Sequence, residues 1–236
     1  MTKNMTKPVV HLVSYIAALL LACSAVNAAD ADSNHGAVIM FKGTPNWMLA
    51  TAPSSFLTPT VMPATNLYKI YSTLGPHGET YYYSAGFAIT GPKYSFGEQW
   101  VAFPFTPKAD AEVTEVAAAV MYVTGTNGVT ISLNEDTNGL PGKPLRTWNL
   151  TNLPTFGNCC KLDFLHSPKG VPVKKATQYW IVARTNKNTE DTGDAWDYTY
   201  NLAQGECAES NTNGKVWDSF PNCYVSAFGV FGKRLK

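Results

Sequence analysis

The sequence predicts an all-β protein, a jelly-roll-like β-sandwich of about ten short strands that follows an N-terminal signal peptide. Three observations carry this expectation. From Leu67 onward, short runs of Val, Ile, Tyr, Phe and Trp recur, separated by Gly, Pro or Asn at intervals of roughly 8–15 residues. The 236 residues are 45% hydrophobic and 12% aromatic, enough to bury a substantial core. Only 15% are charged, against roughly 25% in an ordinary soluble domain, a balance that suits an exported β protein. The formal charge is +1, and Lys and Arg are scattered rather than clustered. Phosphate binding needs a concentrated basic surface, so no nucleic-acid partner is expected.

The chain opens with Lys3 and Lys7, followed by an almost unbroken apolar run from Val9 to Ala22. That run is shorter than the roughly 20 residues of a membrane span, and small residues follow it, ending in Val26-Asn27-Ala28. Residues 1–28 therefore read as a secretory signal cleaved before Ala29. Cleavage removes both lysines and Cys23, leaving four of the five cysteines. A competing reading exists at the same place, because Leu20-Leu21-Ala22-Cys23 resembles a lipobox whose Cys is lipidated and becomes the mature N-terminus. Residues 29–65 are rich in Pro, Thr, Ser and Ala and form an N-terminal extension, with one apolar stretch at Ala37–Phe41 that suits an edge strand. No later apolar run reaches membrane-spanning length, so no membrane span is expected in the mature chain.

The sandwich domain is assigned to residues 66–236. Its strands are expected at 67–72, 81–89, 99–105, 113–123, 129–134, 145–150, 161–164, 178–183, 195–200 and 224–231. Segment 113–123 is contested, since Val113, Val116, Ala117 and Val120 also fall at helical spacing and the Ala cluster favours a helix. Its position between two β patterns makes it a strand. The polar stretch between residues 201 and 223 reads as an enlarged loop before the last strand.

Several segments then stand in a recognisable order. These are Gly91-Pro92, Gln99–Pro107, Gly139-Leu140-Pro141-Gly142, Ala176–Trp180, Ala195-Trp196 and the closing Ser226–Gly232. Together they resemble the domain family called choice-of-anchor R over roughly residues 66–232. The resemblance implies an exported bacterial β-sandwich, often held at the cell surface by an interchangeable carboxyl-terminal anchor. This chain departs from that scheme, because Phe231–Lys236 carries no hydrophobic tail or wall-sorting motif. No activity comes with the family, so the resemblance contributes no catalytic residue.

The four remaining cysteines, Cys159, Cys160, Cys207 and Cys223, permit three pairings. The favoured bond is Cys207 to Cys223, which orders a polar loop. A strained vicinal bond between Cys159 and Cys160 can coexist with it, and the alternative cross-links each of these two to a different distal Cys. Metal ligation is disfavoured, because no His stands near these positions. Two oxygen-rich turns offer hard ligands for Ca2+, one through Asp136 and Asn138 and the other through Asp191 and Asp194. Neither has the full calcium-loop spacing, and Asn138-Gly139 is first of all a turn signal. No cofactor is otherwise implied.

Aromatic residues offer the only hint of a binding surface. Trp196, Tyr198 and Tyr200 alternate with polar residues and share one face if the segment is extended. Such a row either stacks sugar rings or faces a core, and large aromatics usually face a core. Tyr82 and Trp217 are further candidates for an exposed contact. Esterase-elbow, zinc-protease, Walker and dinucleotide motifs are absent, and His35, His77 and His166 lack a nucleophile or metal context. The sequence therefore predicts a non-catalytic, exported binding or adhesion module whose partner class is an extracellular glycan. The alternatives are an accessory cell-envelope component that binds protein and, least favoured, a polysaccharide hydrolase using paired carboxylates.

Overall fold

The computed structural model describes the backbone of residues 38–40 and all of residues 67–75, 81–158 and 161–236. The expected signal segment, Cys23, Cys159, Cys160, His35 and His77 lie outside the described residues. Among those described there are strands and no helix, and hence no helix long and apolar enough to cross a membrane. In chain order the strands are β1 (Val38–Met40), β2 (Tyr68–Ser72), β3 (Tyr81–Thr90), β4 (Trp100–Phe105), β5 (Ala111–Ala118), β6 (Val120–Thr124) and β7 (Gly128–Thr137). They continue as β8 (Leu140–Thr151), β9 (Asp163–Val173), β10 (Tyr179–Arg184), β11 (Gly193–Thr199), β12 (Gln204–Ser210), β13 (Asp218–Tyr224) and β14 (Phe228–Arg234).

These strands build a β-sandwich. One layer is a six-stranded sheet in the order β13-β12-β4-β10-β7-β8, and two four-stranded sheets, β1-β3-β11-β6 and β2-β14-β5-β9, supply the rest. Among the described residues the strands pair antiparallel except β1 with β3, where Val38 lies opposite Ala85. Val38–Met40 thus forms the edge strand expected within the apolar stretch of the extension. The main core draws Val101 and Phe103 from β4, Ile131 and Leu133 from β7, Ile181 from β10, Val113 and Val116 from β5, Trp196 from β11 and Phe228 from β14, all fully buried. Burial at this scale outweighs the conformational entropy of ordering short strands.

The contested 113–123 segment is extended, but as two strands. β5 pairs with β14 and β9, β6 pairs with β11, and the chain changes sheets at Ala119. Ala119 donates to the carbonyl of Ala227 and accepts from the amide of Asp197, so the crossing point keeps its backbone bonds. Ala117, Ala118 and Ala119 are fully buried, with neighbours packed on both sides. The Ala cluster thus serves close packing rather than helix formation. Gly86 answers a similar demand: a Cβ there would stand 2.5 Å from the carbonyl oxygen of Trp196.

The expected polar loop before the last strand is instead the antiparallel pair β12–β13, with Gly205 opposite Cys223 and Cys207 opposite Phe220. Its residues are polar because β13 is a largely exposed edge strand with no apolar requirement on either face. The Cys207–Cys223 disulfide ties the two strands together, as the favoured pairing anticipates. β7 and β8 are joined by the Asn138-Gly139 turn, with φ of 56° and 78°, the positive values that a two-residue hairpin of this type requires.

Candidate functional site

The alternating aromatics of β11 divide at the end of the strand. Trp196 is fully buried, donates through its indole N–H to the carbonyl of Ala227 at 3.1 Å, and meets Phe103 edge to face. Tyr198 is buried edge to face against Phe87. Their assignment as ligand contacts is therefore corrected: β11 lies between β3 and β6 and every one of its residues is buried, so both faces are internal. Tyr200 follows the last strand residue and is half-exposed. Tyr82 is half-buried against the main core. Trp217 is also half-buried, with its ring 6.4 Å from that of Trp100, in a small cluster that includes Ala102, Trp180 and Val182. The predicted aromatics thus do not form one patch.

Tyr200 instead borders a groove of about 410 Å³, within the range of small-molecule sites. It is lined by Tyr71 and the chain leaving β2, by the turn from β11 into β12, and by Phe103, Pro104 and Val225. The walls are fixed by backbone bonding. Thr199 donates to the carbonyl of Val225, Leu202 donates to the carbonyl of Thr199, and Val225 donates to the carbonyl of Ala203. The Thr199 hydroxyl accepts from the Ala203 amide, and Leu202 takes a φ of 52° to close the turn. Across the groove, the Thr73 hydroxyl donates to the carbonyl of Ser226 and accepts from the amide of Phe228. Inside this frame, Tyr71, Tyr200, Asn201, Gln204 and Glu206 line the opening. Burial pushes the Tyr71 hydroxyl above its ordinary value, so it stays a neutral donor.

Sequence reasoning singled out Tyr200 but missed its neighbours. Tyr71 sits in an expected strand without a distinguishing signal, and Asn201, Gln204 and Glu206 belong to the stretch read as loop. Only the pairing of β12 with β4 and β13 brings that stretch near β2.

The acidic turns serve structure. Asp136 Oδ1 accepts from the Trp180 indole N–H at 2.8 Å and from the Gln178 amide at 3.1 Å, while Oδ2 accepts from the Gly139 amide at 3.0 Å. Its oxygens are thus engaged in the turn beside Asn138. Asp191 is exposed and held below its ordinary value chiefly by a side-chain hydrogen bond with Thr126. Asp194 is buried, so the two do not project as one ligand set. Among the described residues no group of three or more His, Cys, Asp and Glu side chains is arranged to hold a metal ion.

Asp163, Asp194 and Asp197 are instead carboxylates taken out of water. Asp197 is fully buried and neither oxygen has a hydrogen-bond partner. Burial lifts Asp197 well above the ordinary carboxylate range, Asp194 to about 8 and Asp163 to about 7. His166 reaches the buried Glu115 at 3.0 Å across the β5–β9 ladder, and burial raises Glu115 while the imidazole opposes that shift. Neither group lines the groove.

Comparison with protein-family models, with curated proteins and with solved structures finds no match for this chain.

Proposed function

We propose that the protein is an exported, non-catalytic binding or adhesion module that holds a glycan in the groove between Tyr71 and Tyr200. The observation that carries this reading is the groove lining. Two tyrosines flank the amides of Asn201 and Gln204, which make no side-chain hydrogen bond within the described residues. Aromatic faces suit the C–H faces of sugar rings, and unengaged amides suit their hydroxyls. The leader-like start, the low charge and the resemblance to choice-of-anchor R domains support export, either as a secreted chain or one lipid-anchored at Cys23. The disulfide fits an oxidising compartment.

The test is a glycan array probed with the mature chain and with Tyr200→Ala and Tyr71→Ala variants. Reproducible signals that fall at least tenfold in both variants, with thermal unfolding preserved in Tyr200→Ala, are the expected outcome. A silent array, or equal binding by the variants, removes the proposal.

A second reading is supported by a different surface. Val216 is 59% exposed and Phe220 36%, beside Trp217 at the β12–β13 edge, which suits an accessory envelope component that binds protein. Retention of an envelope protein that is lost in Val216→Asp, without any glycan binding, would favour it. Turnover on a polysaccharide panel would favour the hydrolase instead.

A further inference from the structure

We infer that the groove selects polyhydroxylated ligands by charge, preferring amine-bearing saccharides over neutral ones and disfavouring acidic ones. This rests on the reading of the groove as a glycan site. Glu206 is the charged residue of the described lining, and no Lys, Arg or His accompanies it there. Its side chain is half-buried, and among the described residues its carboxylate accepts one hydrogen bond, from the Ser219 hydroxyl of β13 at 3.5 Å. Lys93 pairs with Glu190 and His166 with Glu115, and Glu206 takes part in no ion pair among the described residues.

Its backbone is also held in place. Glu206 stands between Gly205, which is paired with Cys223, and Cys207, which is bonded to Cys223. The wall that carries the charge therefore cannot retreat without opening the disulfide-linked hairpin. The other polar residues of the described lining are neutral, Tyr71, Tyr200, Asn201 and Gln204 among them. Sugar hydroxyls find donors and acceptors among these. An ammonium on the sugar gains a charge-assisted partner in Glu206, whereas a uronate meets a like charge with no cation to offset it. Because Glu206 is partly solvated, each step is modest, about two- to fivefold, and shrinks with salt.

Calorimetric titrations of the disulfide-intact chain, at low ionic strength and pH 6, would use three ligands of matched length: a glucosamine oligomer, a cello-oligosaccharide and an oligogalacturonate. The expected order of affinity is amine, neutral, acidic. The differences should contract on adding salt and collapse to within about twofold in Glu206→Gln. An acidic ligand bound as tightly as the neutral one, or an order that survives Glu206→Gln and high salt, overturns charge selection while leaving glycan binding intact. Absence of binding by all three overturns the glycan reading of the groove and this inference with it. The salt series on the unaltered chain decides the matter even if Glu206→Gln folds poorly.

Discussion

Asp163, Asp194 and Asp197 make the protein's stability depend on pH. In an unfolded chain each carboxyl titrates near an ordinary value of about 4, whereas the folded protein holds Asp163 near 7, Asp194 near 8 and Asp197 higher than an ordinary Asp. The cause in each case is burial, which penalises the charged form, and the nearby Val123 amide offsets little of it at Asp194. The native state therefore keeps protons that the unfolded chain has released, so stability falls as pH rises from about 4 through 7 and 8. The melting temperature should be higher at pH 5 than at pH 8.5. Asp194→Asn and Asp197→Asn should raise it at pH 8.5, change it less at pH 5, and flatten the profile. A melting temperature that climbs with pH over this interval would refute the assignment. At the same scale, Asp136 shows how a residue with the chemistry of a calcium ligand becomes a turn residue. Sequence displays its carboxylate, but only the fold brings the Trp180 indole onto it.

Among the elements, the β12–β13 pair depends most on a covalent bond. Among the described residues β13 pairs only with β12; it is largely exposed and contains Pro221, which has no amide hydrogen for the ladder. The Cys207–Cys223 bond spans 16 residues of sequence, and closing a loop of that length removes unfolded-state entropy worth about 3 kcal/mol. Cys207→Ser paired with Cys223→Ser should lower unfolding stability by about that amount in denaturant titrations. It should also weaken ligand capture, because residues 204–206 form a wall of the groove. A double variant as stable as the parent would show that the hairpin is held by backbone pairing alone. The strand pattern was legible where a strand has a buried face, as in β4 and β10, whose Val, Ala, Phe and Ile residues enter the core. It was not legible in β13, because an edge strand can form from polar residues when a neighbour supplies the hydrogen bonds, nor in β12, an internal strand built mostly of polar and small residues. The two-strand character of 111–124 was hidden as well, since the break at Ala119 lies in where the partners stand and not in residue type.

For the whole molecule, closure depends on the last strand. β14 lies between β2 and β5 and supplies Phe228 and Val230 to the main core and Phe231 to the second cluster. Deleting residues 228–236 should therefore abolish cooperative unfolding rather than trim an edge. A truncated chain that retains a sharp two-state transition would contradict this. The groove is equally a product of the whole, because its walls come from β2, β4, the β11–β12 turn and the link from β13 to β14. The sequence by itself determined the all-β class, the placement of most strands and the aromatic content that must be buried, because alternation and local punctuation are short-range properties. Which aromatics stay at the surface was decided only by the tertiary structure. Tyr198 and Tyr200 share a pattern in the chain, yet one lies between packed layers and the other just past the strand's end. Burial depends on what lies across the sheet, and that is a long-range property.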